Sequence, residues 1–158
     1  ITGVTGQDGY EIARLLRARD NEVFGLVRWV SQHRIPWLER EIPGIHVLHG
    51  DLTDETSLVR ALETAQPDVV FHLGALASSG ESWAQPLAML ANNAGGTLRL
   101  LEAIRKVNPE IRMVNASTSE QYGYGADGPL GVGAPFRPMN VYGTAKVFAH
   151  KAVINYRV

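Results

Sequence analysis

Short apolar runs typical of buried strands alternate with longer helical patterns along the whole chain. The strand-like runs are "ITG" at the start, interpreted as the end of a strand, and residues 22–27, 45–50, 68–74 and 111–115. The helical patterns are residues 12–20, 54–65, 86–107 and the segment from Tyr142 onward. Strands that alternate with helices in this way predict a parallel sheet with helices on both faces. We therefore predict the α/β class, as a doubly wound parallel sheet of the Rossmann type.

Three segments depart from this simple alternation. Residues 28–44 are irregular, with a short helix expected near residues 37–41. Gly95 and Gly96 weaken the middle of the longest predicted helix, because glycine is a poor helix former. Residues 123–140 are rich in glycine and proline, so we expect a loop there.

Composition and charge limit the classes of function. With 158 residues and 45% apolar content, the chain can bury the core of one domain. Its 15 Lys and Arg residues nearly balance 16 Asp and Glu residues, so there is no basic surface to attract nucleic acid. The lack of cysteine excludes a disulfide framework, a thiolate zinc site and a thiol nucleophile, and we predict no metal site. Because no apolar run could span a bilayer and no leader pattern opens the chain, we expect a cytoplasmic protein without a membrane partner.

The segment "GVTGQDG" places three glycines between a strand end and a helix start. Gly3, Gly6 and Gly9 form a G-x-x-G-x-x-G frame at the first strand-to-helix turn. Such a turn brings backbone N–H groups and the positive end of a helix dipole close to a phosphate. A tight glycine turn without a ligand is the alternative, but the position in a β-α-β unit favours a dinucleotide site.

Residues that follow the next two strands bear on which dinucleotide is bound. A dinucleotide site usually carries Asp or Glu about 20 residues beyond the glycines, whereas this chain has Arg28 there. A guanidinium at that position suits the 2′-phosphate of NADP, with Ser31 or Arg34 assisting, although a solvated surface arginine explains the sequence nearly as well. We expect Asp51 in "HGDLTD" either to accept from the adenine amino group or to cap the helix that begins near Asp54.

A row of hydroxyls and a carboxylate follows the last predicted strand. The segment "NASTSEQYG" contains Thr118 and Glu120, at the sheet edge where open α/β folds place their chemistry. In extended chain, this i, i+2 spacing puts both side chains on one face. A polar turn, with Thr118 or Ser119 capping the next element, is the alternative interpretation.

Tyr142 and Lys146 in "YGTAK" are expected one helical turn apart on one helix face. A tyrosine with an ordinary pKa of about 10 is a poor base at neutral pH, and a positive charge such as that of Lys146 would stabilise its phenolate. By itself, an exposed helix pair is the simpler explanation. Together with the glycine turn and the strand-end hydroxyls, the pair completes a Ser/Thr, Tyr, Lys constellation.

Over its whole length the chain resembles the extended short-chain dehydrogenase/reductases and, within them, the GDP-mannose 4,6-dehydratases. The segments that carry the resemblance are "ITGVTGQDG", "GDLTD", "QPD", "LGA", "GTLRLLEAIR", "ASTSEQYG", "PFRP", "YGTAK" and "INYR". Carried over residue by residue, the resemblance implies four catalytic residues, Thr118, Glu120, Tyr142 and Lys146. It also implies an NADP site formed by Gly3, Gly6, Asp8, Gly9, Arg28, Asp51, Leu52, Leu73, Gly74, Ala75, Tyr142 and Lys146.

The resemblance implies a hydro-lyase that converts GDP-mannose to GDP-4-keto-6-deoxymannose by internal hydride transfer through bound NADP. The alternative is another nucleotide-sugar 4,6-dehydratase, or a 4-epimerase or reductase of the same superfamily. Some positions depart from the family pattern: Trp29 stands where a second arginine is common, and Asn140 and Val141 stand where Ser and Pro are usual. The expected partners are a nucleotide sugar and, in the full-length protein, further copies of the same chain.

Both ends of the chain look like interior sequence. Ile1 lies within a strand-like run, and "INYRV" lies within a helical pattern that has no stop signal. We therefore expect residues 1–158 to be one NAD(P)-binding Rossmann domain, truncated at both ends and lacking a C-terminal substrate-binding region. On this interpretation the fragment by itself is inactive and exposes apolar surface.

Overall fold

The computed structural model describes residues 1–77, 80–124 and 128–157. Its strands are β1 (Phe24–Val27), β2 (His46–His49), β3 (Val69–His72) and β4 (Arg112–Asn115). β1 pairs in parallel with β2, and β3 pairs in parallel with β4. Thr2 forms parallel bridges to Leu26 of β1 and to His72 of β3, so the chain start lies between the two pairs. The parallel, doubly wound sheet predicted from the sequence is confirmed.

The described residues contain six α-helices, of which the first precedes β1. They are α1 (Gln7–Arg17), α2 (Ile35–Glu41), α3 (Glu55–Ala65), α4 (Pro86–Met89), α5 (Gly96–Val107) and α6 (Val141–Asn155). A π-helical turn, Leu90–Gly95, joins α4 to α5. The helical segment predicted over residues 86–107 is therefore continuous, but its hydrogen bonding is π-helical up to Gly95, the first glycine of the pair. α2 begins earlier than predicted, because Pro36 occupies its first turn, where proline needs no N–H partner.

The chain divides into two compact units. The first comprises Ile1–Gly74 and Arg99–Ala116, and the second comprises Ala75–Leu98 and Ser117–Val158. Among the described residues, no helix is both long and apolar enough to cross a membrane.

The first unit contains two clusters of buried apolar side chains. One consists of Leu52, Leu58, Leu62, Val70, Leu100, Ala103, Ile104 and Ile111. The other consists of Val4, Ala13, Val23, Val27, Leu38, Ile42 and Ile45. Leu58 and Leu62 lie one turn apart on α3. The N-cap residue of this helix is Asp54, whose carboxylate accepts from the N–H groups of Thr56 (3.0 Å) and Ser57 (3.3 Å).

A cavity of about 300 Å³ also lies in the first unit, at the amino ends of β1 and β3. Its lining includes Ile1, Phe24, Val69 and Leu62. Since the glycine turn follows the opposite, carboxyl end of the sheet, this cavity is not the candidate site.

The second unit is organised around α6. This helix packs against the π-helical turn and against a 3₁₀ turn formed by Ser119–Tyr122. Its buried face presents small side chains, Ala145, Ala149 and Ala152, which allow close approach of the neighbouring backbone. Asn93 of the π-helical turn accepts from the Leu76 N–H and donates to the Leu76 carbonyl, both at 2.9 Å.

Candidate active site

The glycine turn has the geometry of a phosphate-binding loop. Gly3 has a φ of 71°, and a Cβ added there would lie 2.7 Å from the Gly74 nitrogen. A Cβ on Gly9 would lie 2.3 Å from the Gly3 carbonyl oxygen, so both positions require glycine. A Cβ on Gly6 would meet only the Gly3 carbonyl oxygen, at 3.2 Å, and is otherwise in open space. The first and third glycines therefore close the turn, and the second leaves room for a ligand.

The start of α1 offers unpaired backbone donors beside that open space. Gly6 is the N-cap residue, and having no side chain it cannot cap the first N–H groups of the helix. Gln7 and Asp8, the first residues of α1, are exposed. N–H groups at a helix start bind anions well, because they combine free donors with the positive end of the helix dipole. The residues present therefore fit the pyrophosphate of a dinucleotide.

Thr2 holds the loop that follows β3 against the glycine turn. Its hydroxyl oxygen accepts from the N–H groups of Leu73 (3.2 Å) and Gly74 (2.9 Å) and contacts His72 Nδ1 at 2.8 Å. Leu73 and Gly74, both predicted to line the cofactor site, thus lie beside Gly3. Sequence reasoning missed Thr2, although a buried hydroxyl inside an apolar strand end was a signal for it.

Leu52 and Ala75 are also predicted to line the cofactor site, and the structure places neither of them in the glycine turn. Leu52 is buried in the first apolar cluster, so packing alone already explains its side chain. Ala75 is the first residue of the second unit and is half-buried.

Arg28 and Asp51 come together after β1 and β2. Arg28 is exposed and directly follows β1, and Asp51 follows β2 by two residues. Burial alone would raise the pKa of Asp51, but hydrogen bonds from Thr53 and the charge of Arg28 outweigh it and lower that pKa. The Thr53 N–H (2.8 Å) and hydroxyl (2.7 Å) both donate to Asp51 Oδ1. The alternative that Asp51 caps α3 is wrong, because Asp54 occupies the N-cap position.

The hydroxyl-rich segment after β4 forms a turn rather than extended chain. Thr118 is extended, with φ −153° and ψ 150°, and its hydroxyl oxygen accepts from the Glu120 N–H at 3.2 Å. The 3₁₀ turn then starts at Ser119, so the expectation that Thr118 and Glu120 share one face of an extended strand is wrong. The capping alternative is confirmed for Thr118. A residue that caps a turn through its oxygen still has its hydroxyl hydrogen to donate.

Asn140 connects Glu120 to the start of α6. Its Oδ1 accepts from the Gly143 N–H at 2.7 Å, which caps the helix, and its Nδ2 donates to the Glu120 carboxylate. Gly143 is needed for this approach, because a Cβ there would lie 2.8 Å from the Glu120 carbonyl oxygen. Sequence reasoning noted Asn140 only as a departure from the family pattern and missed its contact with Glu120.

Tyr142 and Lys146 both lie on the buried side of α6. Tyr142 is 9% exposed and Lys146 is 6% exposed, and their spacing places them one turn apart on one face. Burial lowers the pKa of the Lys146 ammonium, because its surroundings solvate the charge less well than water does. The simpler explanation, an exposed helix pair, is therefore wrong. The second unit brings Thr118 and Glu120 to a turn that packs against the helix of Tyr142 and Lys146.

The cap at Asn140 can be tested by its contribution to stability. We expect Asn140→Ala to lower the free energy of unfolding by about 1 kcal/mol, because α6 loses its N-cap acceptor. Asn140→Ser is the matched control, since serine restores a capping oxygen but has no amide to donate to Glu120. Urea unfolding followed by circular dichroism compares the variants. Equal stability of the alanine and serine variants would contradict the capping role.

The sequence of this chain is similar to a family of known enzymes. The family model described as GDP-mannose 4,6 dehydratase matches residues 1–158. The chain is 41% identical over 166 residues to a GDP-mannose 4,6-dehydratase of Vibrio cholerae, covering 99% of this chain and 45% of that protein. It is 35% identical over 169 residues to GDP-mannose 4,6 dehydratase 2 of Caenorhabditis elegans, covering 99% of this chain and 44% of that protein. The chain thus spans less than half the length of these relatives.

Solved structures with the same fold carry a dinucleotide. UDP-glucose 4-epimerase from Brucella ovis in complex with NAD superposes with a TM-score of 0.87 at 28% identity, covering 98% of this chain and 46% of that one. UDP-glucose 4-epimerase of Thermus thermophilus, also complexed with NAD, superposes with a TM-score of 0.86 at 29% identity, covering 98% of this chain and 49% of that one. Fold, glycine turn and the match over all 158 residues agree, and the chain belongs to the GDP-mannose 4,6-dehydratase family.

Proposed function

We propose that the intact protein is a hydro-lyase that converts GDP-mannose to GDP-4-keto-6-deoxymannose with a bound nicotinamide dinucleotide. The observation that carries the proposal is the contact that joins Glu120, through Asn140, to the helix of Tyr142 and Lys146. An epimerase or reductase needs the tyrosine and lysine but has no use for a carboxylate held at this place. Membership of the dehydratase family supports the same assignment.

The reaction requires proton transfers at the C4 hydroxyl, at C5 and at the C6 hydroxyl that these side chains can perform. Tyr142, with Thr118 orienting the sugar, takes the proton of the C4 hydroxyl as C4 is oxidised to a ketone. The ketone acidifies the C5 hydrogen, which Glu120 removes as a proton. Glu120 then delivers that proton to the C6 hydroxyl, which leaves as water, and a solvent-derived proton later returns to C5. When bound, the dinucleotide supplies the redox chemistry, accepting hydride from C4 and returning it to C6.

Lys146 supports the tyrosine as a base. Lys146 lies one helical turn from Tyr142 on the same buried face of α6, and its positive charge favours transfer of a proton away from the Tyr142 hydroxyl. We assign Lys146 this electrostatic role together with a hydrogen bond to the nicotinamide ribose.

The experiment that tests this function is the mass of the product formed from GDP-mannose by the intact protein. A dehydratase releases a product one water lighter than the substrate, without accumulation of reduced cofactor. An epimerase gives a product of unchanged mass, and a dehydrogenase reduces the cofactor with each turnover. Either of the last two results would overturn the proposal and favour the alternative chemistry of the same superfamily.

We propose NADP as the cofactor, bound by the residues named from the resemblance. The N–H groups after Gly6 take the pyrophosphate, next to Asp8, and Gly3 and Gly9 shape the turn. Asp51 keeps Oδ2 for the adenine amino group, because both bonds from Thr53 go to Oδ1. From the resemblance we also assign Leu52, Leu73, Gly74, Ala75, Tyr142 and Lys146 to the cofactor site. Arg28 is the residue that selects NADP, through its charge on the 2′-phosphate.

The choice of cofactor can be tested at Arg28. We expect the intact protein to bind NADP more tightly than NAD, and Arg28→Ala to lose roughly tenfold or more of that preference, the range of one charge-assisted hydrogen bond. Titration calorimetry with both cofactors measures the ratio. Arg60→Ala is a suitable control, because Arg60 is an exposed arginine on α3 of the same unit and has no assigned role at the cofactor site. A ratio unchanged in Arg28→Ala would contradict the assignment.

We further propose that the intact protein works in the cytoplasm as a homo-oligomer. The lack of cysteine is compatible with a reducing compartment, and the near balance of charges gives no electrostatic reason for association with nucleic acid or an anionic membrane. Residues 1–158 form the dinucleotide-binding part of that protein.

A further inference from the structure

An aromatic pair stands beside Arg28 and Asp51 in the first unit. The indole of Trp29 stacks on the imidazole of His49, with ring centroids 3.9 Å apart and the planes within 1° of parallel. Trp29 lies two residues after the end of β1, and His49 is the last residue of β2. Arg28 precedes the tryptophan, and Asp51 follows the histidine by two residues. The pair therefore belongs to the same strand ends as the two residues assigned to the adenosine half of the dinucleotide.

The stacking leaves one face of the indole open. His49 covers one face, yet Trp29 remains 64% exposed. Within the described residues, the buried Nδ1 of His49 makes no hydrogen bond, and the stacking on Trp29 is the ring contact that the structure shows for it. Trp37, the other tryptophan of this unit, is different: it packs on Tyr10 at 5.0 Å between centroids and contributes to the second apolar cluster. The indole of Trp29 thus has one face covered by His49 and one flat apolar face exposed to solvent.

We propose that Trp29, backed by His49, is a stacking platform for the adenine ring of the bound dinucleotide. The inference rests on the proposed function, because it presumes that this unit binds such a cofactor. A purine offers a flat face of the same kind, and stacking on an aromatic side chain is a substantial, geometry-dependent contribution to binding of a base. The resemblance leads one to expect a second arginine at this position, and an arginine would attract a phosphate through its charge. A tryptophan instead stacks on the adenine base.

The platform and Arg28 have separable effects. The indole has no charge and contacts only the base, so it strengthens NAD and NADP binding by the same factor. Arg28 acts on the 2′-phosphate and changes the ratio between the two cofactors. Nicotinamide mononucleotide contains no adenine, so its binding is independent of Trp29.

The test uses the intact protein, titrated with ADP, 2′,5′-ADP and nicotinamide mononucleotide. We expect Trp29→Ala to weaken both adenine nucleotides about tenfold and by equal factors, within the range that one stacked base provides. Binding of nicotinamide mononucleotide stays as in wild type. Trp29→Phe recovers part of the loss because it keeps an aromatic face. Val30→Ala is the matched control, since Val30 is the next residue of the 3₁₀ helix Trp29–Arg34 and is 75% exposed.

A spectroscopic readout is independent of enzyme activity. Stacking of adenine on an indole quenches tryptophan fluorescence, so ADP quenches the wild-type emission and the quenching is lost in Trp29→Phe. Adenine nucleotides that bind Trp29→Ala as tightly as wild type, or more tightly, overturn the platform while leaving the proposed function intact. A wild-type protein that binds no adenine nucleotide overturns both.

Discussion

Tyr142→Phe in the intact protein is expected to slow the first oxidation by about 10²-fold or more in a variant that still binds the cofactor. The substitution removes only the hydroxyl that takes the C4 proton, and the phenyl ring preserves the packing of a side chain that is 9% exposed. General acid–base help of this kind is worth roughly 10²- to 10⁴-fold in rate, so turnover falls by at least the lower figure. Single-turnover absorbance of the reduced cofactor measures the step directly.

Tyr124→Phe controls for the removal of a tyrosine hydroxyl from the same unit. Tyr124 is 78% exposed, so its hydroxyl is solvated and its loss leaves turnover unaffected. The assignment of Tyr142 as the base would be contradicted by a Tyr142→Phe protein that reduces its cofactor at the wild-type rate.

Glu120→Gln is expected to separate the two halves of the reaction. Glutamine is isosteric and keeps an oxygen that can accept from Asn140, so the contact with the start of α6 is retained. It cannot take up the C5 proton, so elimination of water fails although cofactor binding and oxidation at C4 remain. We expect a loss of about 10²-fold or more in product formation. The measurement is exchange of the C5 hydrogen with deuterated water, followed by mass spectrometry.

Glu110→Gln, at an exposed carboxylate, is the control for the change of charge. Should Glu120→Gln exchange C5 and form the 4-keto-6-deoxy sugar at nearly wild-type rates, Glu120 would be a turn residue and nothing more. In the structure Thr118 caps the turn through the Glu120 N–H, and the Glu120 carboxylate accepts from Asn140 at the start of α6.

The fold could be predicted from the sequence because periodicity and glycine placement are local signals. Buried parallel strands are continuous apolar runs, and the strand that ends at Val27 and the helix that begins after Asp54 show these signals clearly. The π-helical turn before Gly96 could not be predicted, because this turn packs against α6, a helix that is distant in sequence. The turn at Ser119 could be given only as one of two alternatives, since three consecutive hydroxyl residues are compatible with either a strand end or a cap.

The sequence indicates which residue types form the candidate site, but it does not indicate the contacts that these residues make. Spacing alone placed Tyr142 and Lys146 on one face, but their burial depends on elements distant in sequence. The link from Asn140 to Glu120 spans 20 positions and has no local signature. The same holds for Trp29 and His49, which are brought together only when β1 pairs with β2. Contacts between distant segments are set by packing, which a single sequence does not display.

The most direct measurement is the fate of a deuterium label placed at C4 of GDP-mannose and turned over by the intact protein in ordinary water. Internal hydride transfer predicts that the label appears in the C6 methyl group of a product that has lost one water, with hydrogen from solvent at C5. An epimerase would return the label to C4, and a dehydrogenase would release it on the reduced cofactor. Finding the label anywhere but C6 would contradict the account of Tyr142 and Glu120 as successive bases in one dehydration.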